Sequence, residues 1–264
     1  MSEGTAGMPV AVHHVVAGPE GGRPVVLSGS LGSDLRMWAP QVTALVEAGY
    51  RVIRYDHRGH GRSPVPVGPY SLADLGGDVI ALLDRLGVAR AHIVGLSLGG
   101  MVGIWLAEHA SDRVDSLTLC CTSAELGPPS DWAARARMVR AEGTQAIAAA
   151  AVQRWFTPQW RAADPERTRA YQRMIAATPA EGYASCCAAI ETMDIAAGLL
   201  RITAPTLVIA GADDPAIPPS HGADIAAEIL GSRLEIISPG AHLASAERPD
   251  LVNELILQHL KDNS

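Results

Sequence analysis

Ser97 is the residue of this chain whose surroundings most clearly predict chemistry. It is the centre of residues 95–99, Gly-Leu-Ser-Leu-Gly, between an apolar strand-like run and a helix-like run that reaches position 109. In this context a Gly-x-Ser-x-Gly pattern holds the serine in a strained turn, exposed and next to a helix N-terminus. Such a serine is suited to attack a carbonyl carbon. The pattern therefore predicts a nucleophile, and the alternative is a glycine-rich turn of another α/β fold.

A serine nucleophile needs a general base, and the base needs an acid that orients it. His242 follows a strand-like run near the C-terminus and is the expected base. His221 is the other candidate in this part of the order, and we expect it to start a helix instead, while His259 belongs to the predicted terminal helix. The acid is expected after the preceding strand-like run, where Asp213 and Asp214 are adjacent. Their positions alone leave both open.

The negative charge that forms on the attacked carbonyl oxygen needs N–H donors. We call the strained turn at residues 95–99 the elbow. In a turn of this kind one donor is the N–H group of the residue after the serine, here Leu98, and the other belongs to a loop after an early strand. That loop is residues 28–32, Ser-Gly-Ser-Leu-Gly, and Leu31 is the expected donor. The charged run at 55–63 is predicted to connect loops near the active edge, and a catalytic role for His57 or His60 is the alternative.

Short apolar runs alternate with helix-like stretches along most of the chain, which predicts a mostly parallel α/β sheet with helices on both faces. A helix is expected at 71–86 from the three-four spacing of its apolar residues. Its start, Ser71-x-x-Asp74, fits a capping box, and Gly87 can end it. Strands are expected at 10–16, 24–27, 51–55, 92–94, 116–121, 206–210 and 234–237, and further helices at 98–109 and 251–260.

Residues 125–190 break this alternation because they contain no convincing strand. We interpret them as a helical cap inserted over the edge of the sheet where the predicted catalytic residues lie. Residues 1–124 and 191–264 then form the α/β core domain. The cap holds eight arginines and six acidic residues, which gives it a net charge of +2 in a chain of net charge −7. The predicted cap therefore has a net charge opposite in sign to that of the whole chain.

The composition limits the classes of function. The chain has 264 residues, 48% of them hydrophobic, which is enough for one large domain. A net charge of −7 argues against nucleic-acid binding, and no apolar run is long enough to cross a membrane. Residues 1–9 lack the features of a signal peptide. The cysteines form two adjacent pairs, 120–121 and 186–187, which predicts reduced core thiols and a cytoplasmic protein.

Five motifs together resemble the α/β-hydrolase superfamily. They are Gly29-Ser30-Leu31-Gly32 with Trp38, Asp56-x-Arg58-Gly59-x-Gly61-x-Ser63, Gly95-Leu96-Ser97-Leu98-Gly99-Gly100, Gly211-x-x-Asp214, and Gly240-x-His242-x-x-x-x-Glu247-x-Pro249. The resemblance implies the α/β-hydrolase fold with a Ser97, Asp214 and His242 triad. Asp214 is favoured over Asp213 because hydrolases of this fold usually show Gly-x-x-Asp-x-x-x-Pro, which matches Gly211, Asp214 and Pro218.

Within the superfamily, residues 27–38, 95–103 and 116–120 are similar to the 3-oxoadipate enol-lactonases of bacterial aromatic degradation, as is Trp132. This resemblance implies hydrolysis of 3-oxoadipate enol-lactone to 3-oxoadipate through an acyl-enzyme. The reaction needs no metal or organic cofactor, and the only partner implied is the small-molecule substrate. Oligomeric state is not predicted.

The implied substrate carries a free carboxylate, which an arginine commonly binds in a bidentate way. Trp132 is expected at the substrate, and Arg135 or Arg137 beside it is the candidate clamp. The alternative is that these arginines only cover helix surfaces. Two other enzymatic interpretations are a carboxylesterase and a C–C bond hydrolase of the same fold, and a third interpretation is a non-catalytic ligand-binding protein.

Overall fold

The computed structural model describes residues 7–264, which form a seven-stranded sheet in the order β1-β3-β2-β4-β5-β6-β7. The first strand runs antiparallel to β3, and the other neighbours are parallel. The predicted α/β sheet is thus present. The strands are β1 His14–Ala17, β2 Pro24–Ser28, β3 Arg51–Tyr55, β4 Ala91–Leu96, β5 Val114–Cys120, β6 Thr206–Gly211 and β7 Arg233–Ile237.

Helices cover both faces of this sheet. They are α1 Ala39–Glu47, α2 Leu72–Arg85, α3 Leu98–His109, α4 Pro129–Glu142, α5 Gln145–Trp155, α6 Pro158–Ala163, α7 Pro165–Ala176, α8 Ala180–Glu191, α9 Pro219–Glu228, α10 Ala244–Glu247 and α11 Pro249–Asp262. Short 3-10 helices occur at Leu35–Trp38, Ser111–Arg113 and Ala196–Arg201. In the part of the chain that the structure describes, no helix combines the length and the apolar character that crossing a membrane requires.

The centre of the core is β4 with the helix that follows it. All six residues of β4 are buried, and the strand lies between β2 and β5. Nine of the twelve residues of α3 are buried as well, and α3 packs against β2, β4 and β5. Because this strand and helix are buried almost all round, the turn that joins them is held rigidly at the carboxyl edge of the sheet.

Helix α2 begins as its sequence predicts. The Ser71 hydroxyl accepts a hydrogen bond from the Asp74 N–H, and the Asp74 carboxylate accepts one from the Ser71 N–H, so the capping box is formed. Gly87 follows the helix with a φ of +64°, a conformation that glycine adopts without steric cost. Residues close to one another in the sequence were therefore sufficient to predict where this helix begins and ends.

The prediction of a first strand at 10–16 was wrong by several residues, because β1 begins only at His14. The chain before it is held by side chains instead of a neighbouring strand. Asp74 accepts a hydrogen bond from the Gly7 N–H, and Asp78 accepts one from the Val10 N–H at 2.7 Å. These partners lie more than sixty residues away, so no local pattern reveals them. The signal-peptide prediction for 1–9 falls partly on residues 1–6, outside the described residues.

The chain between β5 and β6 contains helices α4 to α8, which we call the cap helices. Helix α4 packs on α8, and α5 packs on α7. The division into a 125–190 cap and a separate core stays a prediction. Cysteines 120, 121, 186 and 187 are all buried free thiols, as expected.

Candidate active site

Ser97 occupies a strained turn between β4 and α3. Its φ is +56° and its ψ is −117°, a combination that L-residues rarely adopt. The turn is secured because the Ser97 carbonyl accepts hydrogen bonds from the N–H groups of Gly100 and Met101 and from the Thr122 hydroxyl, at 2.8, 3.0 and 2.7 Å. The strained backbone and the hydrogen bonds that hold it agree with the turn expected of a nucleophile, although Ser97 is buried rather than exposed.

The glycines on either side of Ser97 are required by close backbone approach. A Cβ added at Gly95 would lie 2.2 Å from the Gly99 carbonyl oxygen, and one at Gly99 would lie 2.0 Å from the Ser28 carbonyl oxygen. Neither contact is sterically allowed. Residue 99 therefore lets the elbow approach the loop that begins at Ser28.

His242 and Asp214 are brought together from loops after different strands. The Nδ1 atom of His242 lies 2.8 Å from Oδ2 of Asp214, and both side chains are buried. The other Asp214 oxygen accepts hydrogen bonds from the N–H groups of Ala216 and Ile217, which hold the carboxylate in place. Asp213 is exposed and accepts a hydrogen bond from the Gly240 N–H instead. His221 is placed elsewhere, with its Nδ1 atom 2.8 Å from the Ser123 hydroxyl, in the first turn of α9.

The two candidate oxyanion donors lie next to the serine. Leu98 directly follows Ser97 and begins α3, while Leu31 lines the same cavity as Ser97. Both residues are buried, and within residues 7–264 neither N–H group donates a hydrogen bond. Two buried N–H groups left open beside a serine are suited to receive a developing negative charge.

The loop that carries Leu31 is held by two histidines of the 55–63 run. His57 Nε2 lies 3.0 Å from the Gly29 carbonyl oxygen, and His60 Nε2 accepts the Gly32 N–H at 2.9 Å. Burial lowers the pKa of His57 to about 3 and that of His60 to about 4. Both rings are therefore neutral near pH 7, and the His60 ring keeps the lone pair that accepts the Gly32 N–H.

The charged run thus connects loops, as the sequence analysis expected. Asp56 accepts a hydrogen bond from the Leu35 N–H at 2.7 Å, and Arg58 pairs with Asp78 on α2 at 2.6 Å. The supporting role of His57 and His60 in the oxyanion loop was not predicted, because it depends on contacts between residues 28 positions apart.

A cavity of about 260 Å³ joins these groups to the cap helices. This volume is slightly below the range of roughly 300–1,000 Å³ that is usual for drug-sized ligands, which favours a small substrate. Ser97 and His242 form part of its wall, together with Ser30, Leu31, Leu126, Gly127, Asp131, Trp132, Arg135, Ala151, Arg154, Trp155, Ile175, Tyr183, Ile190, Pro215, Ala216 and Ile217.

Two arginines of the cap helices face this cavity. The guanidinium of Arg135 lies over the Trp132 ring, 4.7 Å from its centre, so the aromatic ring helps to orient it. Arg154, on α5, is partly buried on the same wall, and burial followed by the charge of Arg135 lowers its pKa. Neither arginine forms an ion pair with any residue from 7 to 264. In the described part of the chain, the wall of the cavity thus holds two arginines that form no ion pair and one acid, Asp131, and this excess of positive charge favours an anionic ligand.

The structure places Trp132 and Arg135 at the cavity but not Arg137. Two positions along an α-helix correspond to a rotation of about 200°, so Arg137 lies on the opposite side of α4 from Arg135. Arg137 is exposed and does not line the cavity, which removes it as a clamp candidate. The sequence analysis missed Arg154. No local pattern distinguishes Arg154 from the other arginines of residues 125–190, because packing decides which face of α5 lines the cavity.

Comparison with known proteins agrees with this geometry. The family model described as alpha/beta hydrolase fold matches residues 23–249. The chain belongs to the α/β-hydrolase family. This α/β-hydrolase is 40% identical to 3-oxoadipate enol-lactonase 2 of Acinetobacter baylyi, over 94% of this chain and 92% of that protein. It is 35% identical to the RutD protein of Variovorax paradoxus, which carries a provisional carbamate hydrolase name, over 94% and 96% of the two chains.

Among solved structures, the enol-lactonase from Burkholderia xenovorans superimposes on this hydrolase with a TM-score of 0.92. The two are 40% identical, and the alignment covers 95% of this chain and 96% of that one. The predicted fold and family are therefore confirmed. Both enol-lactonases and a protein with a carbamate hydrolase name are similar to this hydrolase, so its substrate has to be argued from the cavity.

Proposed function

We propose that this hydrolase opens the lactone ring of 3-oxoadipate enol-lactone to give 3-oxoadipate. The observation that carries the proposal is the pair of arginines without an ion-pair partner among residues 7–264, Arg135 and Arg154, in the same small cavity as Ser97 and His242. The enol-lactone combines an ester carbonyl with a free carboxylate a few atoms away. A cavity with a serine at one side and guanidinium groups on its wall matches both groups.

In the proposed reaction His242 removes the hydroxyl proton of Ser97, and the serine oxygen attacks the lactone carbonyl. Asp214 holds His242 in the tautomer whose Nε2 can accept that proton, and stabilises the ring once it is charged. The N–H groups of Leu31 and Leu98 bind the oxyanion. The bond from the carbonyl carbon to the ring oxygen then breaks, which leaves an acyl group on Ser97.

The leaving group of this step is an enolate, which is more stable than an ordinary alkoxide. Ring opening therefore needs little protonation of the leaving oxygen by a general acid. The enolate takes up the proton that His242 removed from Ser97 and becomes the ketone, and it remains attached to the acyl chain. His242, neutral again, then removes a proton from a water molecule that attacks the acyl-enzyme. It passes this proton to the Ser97 oxygen as the acyl–serine bond breaks, which completes the hydrolysis.

The carboxylate of the substrate would be bound by Arg135 and Arg154. Each is a charged donor, and hydrogen bonds to charged groups contribute roughly 1.5–3 kcal/mol. Trp132 stacks under Arg135 and also provides an apolar surface for the lactone ring. On this proposal the enzyme prefers the enol-lactone to an uncharged ester of similar size.

The test measures kcat/KM for the enol-lactone, by the loss of its ultraviolet absorbance, and for a neutral aryl ester and an aryl carbamate. Arg135→Ala and Arg154→Ala are expected to lower kcat/KM for the enol-lactone roughly 10- to 100-fold, as loss of a charged hydrogen bond predicts. Turnover of the neutral ester should change little. Arg137→Ala is the matched control, since Arg137 lies on α4 with Arg135 but away from the cavity.

Two outcomes contradict the proposal. If the unmodified enzyme prefers the neutral ester or the carbamate to the enol-lactone, the substrate is wrong. If the arginine variants lose the same factor on charged and neutral substrates, the arginines do not bind a carboxylate.

A further inference from the structure

Glu247, the last residue of α10, has a buried carboxylate with an unusual set of partners. Its side chain is 8% exposed and forms no ion pair with any of the residues described, 7 to 264. Its oxygens instead accept hydrogen bonds from the Thr157 hydroxyl, from the Thr157 N–H at 3.3 Å and from the Ala241 N–H at 3.0 Å. A buried charge is costly unless it is well hydrogen-bonded, so this position has a strong requirement for all three donors.

These donors belong to two different parts of the candidate active site. Ala241 directly precedes His242 in the loop after β7. Thr157 follows the end of α5, whose last two residues, Arg154 and Trp155, line the cavity. The carboxylate of Glu247 therefore connects the backbone beside the candidate base to the end of the helix that carries a candidate anion-binding arginine.

A second contact connects the same two segments. The Leu243 N–H donates a hydrogen bond to the Trp155 carbonyl oxygen at 2.9 Å. The residues on both sides of His242, Ala241 and Leu243, are thus attached to the end of α5, one directly and one through Glu247. A shift of α5 has to move the His242 backbone, and a shift of that backbone has to move α5.

We propose that Glu247 is a positioning residue that couples the cap helix α5 to His242. It holds the histidine on the cavity wall that Ser97 also lines, and Arg154 at its place on the same wall, in one fixed arrangement. Nothing in this role requires Glu247 to contact the substrate. The effect on Arg154 rests on the proposed function, whereas the effect on His242 applies to any ester.

The replacement Glu247→Gln tests the coupling with almost no change in shape. A glutamine removes the negative charge and keeps only one accepting oxygen. When that oxygen stays paired with the Ala241 N–H, the NH₂ group faces Thr157, whose hydroxyl loses its acceptor and has to reverse its direction. With a neutral ester, we expect kcat to fall roughly 10- to 100-fold, the size of loss that a misplacement of about 1 Å produces, and KM to change little. With the enol-lactone, KM should rise as well, because Arg154 is displaced.

Two further measurements separate coupling from a loss of stability. The rise in KM for the enol-lactone from Glu247→Gln should be smaller when Arg154 is already alanine, which is the mark of two residues acting on one contact. If Glu247→Gln does not fold, Thr157→Val removes the hydroxyl donor from the other side. Thr157→Ser should then restore most of what Thr157→Val loses in kcat.

The inference is overturned if folded Glu247→Gln turns over the neutral ester with unchanged kcat. It is overturned as well if the KM for the enol-lactone in the double variant rises by the product of the factors found for Glu247→Gln and Arg154→Ala alone. It is also overturned if Thr157→Val and Thr157→Ser have the same kcat. The two proposals can fail separately. If the unmodified enzyme does not hydrolyse the enol-lactone, the proposed substrate is wrong. If Glu247→Gln nevertheless lowers kcat for the neutral ester, the positioning of His242 by Glu247 is still supported.

Discussion

His242 Nδ1 lies 2.8 Å from Asp214 Oδ2, although the two residues are separated by 28 positions in the chain. The adjacent Asp213 points away and is exposed. Two neighbouring carboxylates thus have separate tasks, since one orients the histidine and the other binds the Gly240 N–H at 3.2 Å. The contrast between them makes the role of Asp214 easy to test.

Asp214→Asn should nearly abolish turnover. An asparagine can present its NH₂ group to His242 Nδ1 and favour the wrong tautomer, a change that costs about 10⁴-fold in kcat in serine hydrolases of this type. Asp213→Asn is the matched control and should keep kcat within a small factor of the unmodified enzyme. Steady-state kinetics with one neutral ester is sufficient for both. Equal losses in the two variants would mean that Asp214 has no special role.

Replacement of Leu31 tests whether its N–H group is a donor to the oxyanion. Leu31→Pro removes the N–H group and should lower kcat roughly 10²- to 10³-fold, the usual loss for one such donor. Leu31→Ala keeps the N–H and should retain most of the activity. Circular dichroism would show that both variants are folded. A folded Leu31→Pro enzyme with full turnover would show that the donor is another group.

Acid should destabilise this protein well before its carboxylates are protonated. Burial lowers the pKa values of His57 and His60 to about 3 and about 4, and it lowers those of His92 and His259 as well. Above about pH 7 these rings are neutral in both the folded and unfolded states and have no effect. As the pH falls from about 6.5 towards 4, the unfolded chain binds protons that the folded protein does not, so the free energy of unfolding decreases.

The measurement is urea unfolding at a series of pH values from 7.5 to 4, a range chosen from the titration of histidine at about 6.5. His60→Gln retains an oxygen that can accept the Gly32 N–H but does not titrate. Its unfolding free energy should therefore depend less steeply on pH over this range. A slope identical to that of the unmodified protein would show that His60 is not protected from protonation in the folded state.

Local patterns predicted those elements whose partners are near in sequence. Strand β3 and helix α3 have the predicted bounds. The strand is marked by a short run rich in apolar residues and the helix by the glycine-bordered turn before it, and both signals lie within a few residues. The capping box at Ser71 is a local signal of the same kind. The first strand was misplaced because Asp74 and Asp78 of α2 hold residues 7–10 in a non-strand conformation.

The sequence by itself determined the family, and it predicted the turn at Ser97 and the order in which Ser97, an aspartate and His242 follow one another. These depend on residue types at fixed short spacings, and steric limits on the backbone make such spacings specific. Only the tertiary structure decided that Asp214 and not Asp213 contacts His242, and that Arg154 and not Arg137 joins Arg135 at the cavity. The physical reason is that the rotation of a helix and the meeting of distant loops are set by packing across the whole core.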